Sequence, residues 1–144
     1  MARLQRFIDA QDAIYQAAVA ELKDGTKYSH WMWFVFPQIA GLGRSGTARL
    51  YAIADLDEAR AYLAHPVLGA RLAECTDAML AWAGKRDAET ILGSIDTLKF
   101  ASSMTLFEAA GGDARFGRAL DAFFDGRRDA MTLALLGLSG QDGA

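Results

Sequence analysis

Cysteine, proline and histidine are scarce in this sequence of 144 residues, which has one cysteine, two prolines and two histidines. The single Cys75 excludes a disulfide within the chain. It also has no basic neighbour in sequence that would activate a catalytic thiol, so we interpret it as a packing residue. Two histidines and one cysteine cannot complete a zinc site without carboxylates. The sequence therefore predicts neither a metal centre nor a cofactor.

Long apolar runs and blocks of one charge are also missing. No apolar run approaches the roughly 18 residues that indicate a membrane-spanning helix. The first residues lack the apolar core of a secretion signal, so we expect a cytoplasmic protein without a membrane partner. The net charge is −3, and lysines and arginines form no cluster. A nucleic-acid partner is therefore not expected, and nothing in the sequence predicts the oligomeric state.

Apolar residues make up 52% of the chain and recur at helical spacing along most of it. Helix starts are indicated by a capping box at Asp55 and Glu58, by Pro66 in a first turn, and by Asp129. The predicted helices cover residues 3–23, part of the aromatic segment described next, 55–64, 66–82, 87–93, 94–110, 113–124 and a last helix after Asp129. We predict a mainly α fold: one compact domain over residues 1–138 with about six to eight helices, little or no strand, and a flexible tail at 139–144.

The segment Ser29–Gln38 is unusually aromatic and contains His30, Trp31 and Trp33. Ser29 as an N-cap and Pro37 as a stop favour a short buried helix. The aromatic and β-branched content is equally typical of a strand, but we favour the helix. The tryptophans are candidates for stacking on a ligand, although at least one of them should belong to the core.

Polar residues interrupt the apolar face of the predicted helix 94–110. Asp96, Lys99 and Ser103 share one face, and Ser102 lies a turn from Lys99 on its other side. One interpretation is an anion pocket, with Lys99 and the serines as donors and Asp96 as a base or an orienting group. The alternative is a buried ion pair, with serines that allow close helix packing.

Three further residues are candidates for ligand binding or catalysis, and each of them could instead have a purely structural role. Gln11 falls in the middle of an apolar stripe, so it should point inward, either to a backbone group or to a ligand. His30 is a candidate general acid or base, or a helix-start residue bound to a carbonyl. Arg44, in the glycine-rich loop 41–46, is a candidate anion ligand or a solvated loop residue, since the loop is not a P-loop.

These motifs closely resemble an uncharacterised bacterial family, domain of unknown function 1810, which is sometimes labelled calpastatin. The matching segments cover nearly the whole chain and are Arg6-Phe7, Ala10-Gln11, Lys27–Gly43, Tyr51–Ile53, Ala61–Gly69, Asp96–Lys99, Ser102–Phe107, Asp129 and Thr132-Leu133. The resemblance implies a mainly helical fold and no established activity. Calpastatin inhibitors are long and disordered, unlike this compact chain. A more distant similarity is to the helical NADAR domains, which are linked to ADP-ribose and to N-glycosidic chemistry.

These observations give three hypotheses. The first is a small enzyme that binds a nucleotide- or ADP-ribose-like compound and cleaves an N-glycosidic bond. In it, His30, Asp96 and Lys99 are catalytic, whereas Gln11, Trp31, Trp33, Arg44, Ser102 and Ser103 bind the ligand. The second is a non-catalytic helical module that binds a protein or small metabolite through an aromatic pocket. The third is that these polar groups are architectural and pair with one another.

Overall fold

A computed structural model describes residues 2–138 of the chain, and within them the protein is mostly helical. The helices are η1 (Ala2–Leu4, 3-10), α1 (Gln5–Asp12), α2 (Tyr15–Asp24), α3 (Met32–Val35), α4 (Gly46–Leu50), α5 (Leu56–Ala64), α6 (Pro66–Leu80), α7 (Ala88–Leu92), α8 (Ser94–Ala109), α9 (Ala114–Phe124) and α10 (Ala130–Leu135). The predicted α class is confirmed. The predicted tail at 139–144 lies outside the described residues.

The described part of the chain contains ten α-helices, more than the predicted six to eight. This difference has two causes. First, α4 lies at the end of the glycine-rich loop, where the sequence predicted no helix. Second, the predicted helix 3–23 is two helices, α1 and α2, separated at Ala13 and Ile14. Neither residue is a helix breaker, and the residues on either side of them both bind Arg71 of α6: Arg71 donates to Gln11, and the Tyr15 hydroxyl donates to the Arg71 carbonyl.

The aromatic segment is helical only over the four residues of α3. Ser29 is not its N-cap, because the Ser29 hydroxyl donates to the Glu21 carboxylate at 2.6 Å instead. After α3 the chain is irregular, and Ile39 pairs with Ile53 in an isolated parallel bridge. The described residues contain no strand longer than this bridge. The helix was thus correctly favoured over the strand, but its start and length were wrong.

Helix starts elsewhere follow the sequence signals closely. Each of the predicted aspartates, Asp55, Asp87, Asp113 and Asp129, accepts a hydrogen bond from a backbone N–H in the first turn of the following helix. His65, the residue before Pro66, also caps a helix. Its Nδ1 accepts from the backbone N–H groups of residues 67 and 68 at 3.1 and 3.3 Å.

The core is organised around α8, which packs against α5, α7, α9 and α10. Among the aromatic pairs that connect it to other parts of the fold are Phe36 with Phe100, with ring centroids 4.9 Å apart, and Tyr62 with Phe107, at 5.3 Å. Cys75 of α6 is fully buried, as predicted for a packing residue. Burial raises the pKa of its thiol to about 12. No helix in the described range is long and apolar enough to cross a membrane.

A buried carboxylate, Glu58, joins the N-terminal helices to the middle of the chain. It accepts a hydrogen bond from the Ala54 N–H at 2.8 Å and forms ion pairs with Arg3 at 3.0 Å and Arg6 at 3.3 Å. Arg6 also donates to the Ala52 carbonyl at 2.8 Å. Burial alone would raise the pKa of Glu58, but the Ala54 N–H and the two arginines together lower it.

Candidate functional site

Two lysines share one aspartate at the first turns of α8. Lys27, in the segment before α3, places its Nζ 2.8 Å from Oδ2 of Asp96. Lys99 lies one turn after Asp96 on the same helix, with Nζ 3.6 Å from the other carboxylate oxygen. The Lys27 backbone N–H donates to the Ile91 carbonyl at 2.8 Å, which fixes this segment against α7.

Each of these lysines also lies over a tryptophan ring. Lys27 Nζ is 4.9 Å from the ring centroid of Trp31, and Lys99 Nζ is 4.4 Å from that of Trp33. Such cation–π contacts stabilise an ammonium by about 0.5–2 kcal/mol, depending on desolvation. We name Lys27, Trp31, Trp33, Asp96 and Lys99 together the lysine cluster.

The two lysines differ in how firmly they are held. The Lys27 side chain is 8% exposed, and its ammonium also donates to the Ser29 carbonyl at 2.7 Å. The Lys99 side chain is 22% exposed, and its ammonium makes no hydrogen bond within the described residues. Lys27 is therefore a fixed part of the protein, whereas Lys99 has donors to offer to an incoming group.

Glu21 of α2 organises the segment that carries Lys27. Its carboxylate accepts hydrogen bonds from the backbone N–H groups of Tyr28 and Ser29, from the Ser29 hydroxyl, and from Trp31 Nε1 at 3.0 Å. Burial would raise the pKa of Glu21, but these four hydrogen bonds together lower it. Glu21 thereby fixes the indole on which Lys27 rests.

The structure brings only part of the predicted site together. Asp96, Lys99, Trp31 and Trp33 meet in the lysine cluster, but Trp31 is fully buried and belongs to the core. Trp33 is half-buried. His30 and Arg44 are exposed, and neither makes a side-chain hydrogen bond or ion pair within the described residues.

Gln11 points inward, as predicted, but it is bound to other protein groups. Its Nε2 donates to the Phe34 carbonyl at 2.6 Å and to the Tyr62 hydroxyl at 3.0 Å. Its Oε1 accepts from Arg71 at 3.4 Å. The amide thus connects α1 with α3, α5 and α6, which is the architectural alternative that the sequence left open.

The two adjacent serines of α8 have different surroundings. Ser102 Oγ donates to the Leu98 carbonyl at 3.1 Å and lies 3.3 Å from a carboxylate oxygen of Asp129. Ser103 is fully buried, and its Oγ has no hydrogen-bond partner among the described residues. An unsatisfied buried hydroxyl costs about 1–3 kcal/mol.

The cavities found in the described part of the protein do not enclose the lysine cluster. A small cavity of about 20 Å³ lies against Trp33 and is also lined by Gln38, Ile39 and Tyr51. Three larger, open depressions of about 320, 330 and 380 Å³ lie elsewhere, near Arg86, Arg127 and Arg115 respectively. None of these four contains Gln11, His30 or Lys99 in its lining.

Sequence reasoning missed Lys27 and Glu21. Lys27 lies two residues before the aromatic segment and is one of only four lysines in the chain, and the prediction did not use this scarcity of lysine as a signal. Glu21 carries no comparable signal. Its importance comes from the fold of the segment 28–31 around its carboxylate, which no helical pattern predicts.

An anion is the kind of ligand that the lysine cluster could bind. The Lys99 ammonium has donors that no described residue uses, and it lies at a half-buried surface, where a charge is less screened than in bulk water. The Glu21 carboxylate forms no ion pair with either lysine within the described residues, but it remains a negative charge beside the cluster, because all four of its donors are neutral.

Over the described residues the protein is mostly helical, and the lysine cluster lies where the segment before α3 meets the first turns of α8. The chain belongs to the family described as Protein of unknown function (DUF1810), which residues 1–136 match. The crystal structure of the conserved hypothetical protein Rv1873 from Mycobacterium tuberculosis is similar, with a TM-score of 0.90 and 46% identity over 94% of this chain and 97% of that chain. No curated protein matches the sequence.

Proposed function

We propose that the protein binds a nucleotide- or ADP-ribose-like compound at the lysine cluster. The observation that supports this proposal is the unequal sharing of Asp96: Lys27 takes one oxygen at 2.8 Å, and Lys99 remains 3.6 Å from the other. An anionic group of the ligand would bind the Lys99 ammonium, whose donors no described residue uses.

Trp33 supplies the second part of the proposed recognition. In the unliganded protein one face of its ring is occupied by Lys99. Because a cation–π contact is weak compared with a charge-assisted bond to phosphate, Lys99 exchanges the ring for the ligand's phosphate. This movement exposes the ring face, and a nucleobase can then stack on it.

The proposed reaction is hydrolysis of an N-glycosidic bond, with Asp96 as the carboxylate beside the sugar. When Lys99 moves to the phosphate, the Asp96 oxygen that faced it becomes available, while Lys27 still fixes the other oxygen. A carboxylate in that position would stabilise the positive charge that develops at the sugar carbon during cleavage. His30 is the exposed candidate for proton transfer.

Calorimetric titration of the purified protein with ADP-ribose, NAD and AMP tests the binding proposal. We expect saturable binding to at least one of them, and an affinity at least tenfold weaker in the variant Lys99→Met. The matched control is Lys23→Met, which removes an exposed lysine at the end of α2. An absence of binding and of a thermal shift at millimolar ligand would contradict the proposal. A Lys99→Met variant that is destabilised but binds normally would assign Lys99 an architectural role.

A non-catalytic binding module is the second candidate function. It is favoured by three apolar side chains next to the cluster in sequence, Tyr28, Ile95 and Leu98, which are 70, 70 and 69% exposed. Chromatography of the products from ADP-ribose or NAD separates the two candidates. Release of a base by the wild type and not by Asp96→Asn supports hydrolysis, whereas binding without turnover supports the module.

A further inference from the structure

The outer side of α10 is apolar, although this helix lies at the surface. Its exposed residues are Ala130, Met131, Ala134 and Leu135, of which Met131 is 59% and Leu135 43% exposed. Their i, i+1, i+4, i+5 spacing places them on one side of the helix. The outer side of a surface helix normally carries polar residues, and a helix that is apolar all round is usually covered. We name these four residues the α10 face.

The inner side of α10 is already occupied. Thr132 is fully buried, and its hydroxyl donates to the Asp129 carboxylate at 2.6 Å. The Asp129 N–H donates in turn to Thr105 of α8 at 2.9 Å. Because these hydrogen bonds fix the start of the helix against α8, α10 cannot turn its apolar residues inward without breaking them.

The depression of about 330 Å³ near Arg127 borders the α10 face. Ala130, which belongs to this face, forms part of its wall. The rest of its apolar lining is Ala101 of α8 and the half-buried Phe123 and Phe124 at the end of α9. An apolar surface thus lies directly beside an apolar recess. Two copies of such a surface can cover each other around a two-fold axis, because an isologous interface uses the same patch twice.

Four charged residues also line this depression, and two of them have no partner within the described residues. Arg128 and Asp129 are bound to other groups of the protein. Asp125 and Arg127 are exposed and form no side-chain hydrogen bond or ion pair in the described part of the chain. A second copy of the same face offers the opposite charge to both, whereas a partner of a single charge sign would leave one of them unpaired.

We propose that the α10 face and this depression form the interface of a homodimer, in which Arg127 of each copy pairs with Asp125 of the other. The α10 face of one copy covers the depression of the second, and the two-fold axis repeats the contact. Met131 suits this role, because its flexible side chain fills an irregular recess. Residues 139–144 include no large apolar side chain that could cover the face. The inference uses no residue of the lysine cluster and does not depend on the proposed function.

Sedimentation velocity of the purified full chain tests the interface by charge reversal. We expect the wild type to dimerise at micromolar concentration. Arg127→Asp and Asp125→Arg each place like charges opposite one another, so either variant alone should dimerise at least tenfold more weakly. An equimolar mixture of the two variants should dimerise as tightly as the wild type, because both pairs in the mixed dimer are again opposite in charge.

Lys23→Asp is the matched control, since it reverses the charge of an exposed lysine on α2. It should leave the dimer unchanged. Met131→Asp should abolish the dimer and leave the helical circular dichroism signal unchanged, because Met131 is exposed.

A second variant keeps the mixing experiment decisive if Asp125→Arg fails to fold. Asp125 has a φ of 55°, a left-handed conformation that asparagine adopts more readily than arginine. Asp125→Asn then replaces it. Its mixture with Arg127→Asp should dimerise more tightly than either variant alone, because one attractive pair is restored.

Three results would overturn the inference. A wild type that stays monomeric at the highest soluble concentration would show that a second copy does not cover α10, and a different protein would then be the partner to seek. A dimer that both charge reversals leave unchanged would place the interface elsewhere. Two weakened variants whose mixture does not recover would show that Arg127 and Asp125 do not pair between copies.

Discussion

At the scale of the residue, Gly69 shows how closely α5 and α6 approach each other. A Cβ at this position would lie 2.3 Å from the carbonyl oxygen of Leu63, which is a backbone atom and cannot rotate away. Glycine inside a helix is destabilising by roughly 0.5–1 kcal/mol relative to alanine. Glycine at position 69 therefore lowers the stability of α6 itself, but it allows α5 and α6 to be joined closely through His65.

We expect Gly69→Ala to lower the free energy of unfolding by about 1–3 kcal/mol, because the overlap outweighs the gain in helix propensity. Gly46→Ala is the control, since a Cβ there meets no atom within 4 Å. Urea denaturation of both variants checks the prediction. Equal stability of Gly69→Ala and the wild type would show that α6 shifts away from Leu63 at little cost.

Residues also show how far the candidate site is predictable from sequence. The inward direction of Gln11 and the shared face of Asp96 and Lys99 follow from the helical repeat alone. The partners of Gln11 do not, because Phe34 and Tyr62 are distant in sequence. Whether Gln11 and Lys99 lie in one site depends on how the helices pack. In the structure they do not, since Gln11 is hydrogen-bonded to groups of α3 and α5.

At the scale of the element, α10 is attached to α8 through one aspartate. An Asp129 carboxylate oxygen accepts from the Thr132 N–H at 2.9 Å and from the Thr132 hydroxyl at 2.6 Å, and it lies 3.3 Å from the Ser102 hydroxyl oxygen. The Asp129 N–H donates to Thr105 at 2.9 Å. The Asp129 side chain therefore begins α10, and its backbone N–H fixes this end of the helix to α8.

We expect Asp129→Ala to cost about 2–3 kcal/mol, because it removes a helix cap and leaves the buried Thr132 hydroxyl unpaired. Asp87→Ala, which removes the exposed cap of α7, should cost less, because it leaves no buried hydroxyl unpaired. Hydrogen exchange should show faster exchange confined to α10 in the first variant. Costs of equal size in the two variants would mean that the contact with α8 adds nothing to the cap.

Elements begin where the sequence indicates whenever the signal is local. An aspartate and the N–H groups it binds lie within three residues, so Asp55, Asp113 and Asp129 could be recognised directly. Ser29 had the same local pattern and failed, because Glu21 binds its hydroxyl from another helix. A side chain from a distant helix can thus bind the group that would otherwise cap a helix. A short window of sequence does not show this.

At the scale of the whole molecule, two carboxylates with lowered pKa values make stability sensitive to acid. The pKa values of Glu58 and Glu21 lie below the ordinary 4.5 in the folded protein. The unfolded chain therefore binds protons more readily than the folded one. Their stabilising contribution is complete above about pH 4.5, and it is lost as the pH falls through the folded-state pKa values.

We expect the free energy of unfolding to decrease steadily below about pH 4.5, and the decrease to be shallower in Glu58→Gln. At pH 7 this variant should be less stable by about 1–3 kcal/mol, since Arg3 and Arg6 lose a charged acceptor. Glu89→Gln is the control at an exposed position on α7. Urea denaturation at several pH values provides the measurement, and an unchanged acid slope in Glu58→Gln would contradict this assignment.

The buried thiol of Cys75 has a consequence for the kinetics of the folded state. A thiol reacts with alkylating reagents as its thiolate, and both burial and a pKa of about 12 keep that form away from the reagent. Modification under native conditions thus requires the protein to open around α6. Because the chain has only this cysteine, the rate of alkylation reports the opening of the protein around α6. No label has to be introduced for this measurement.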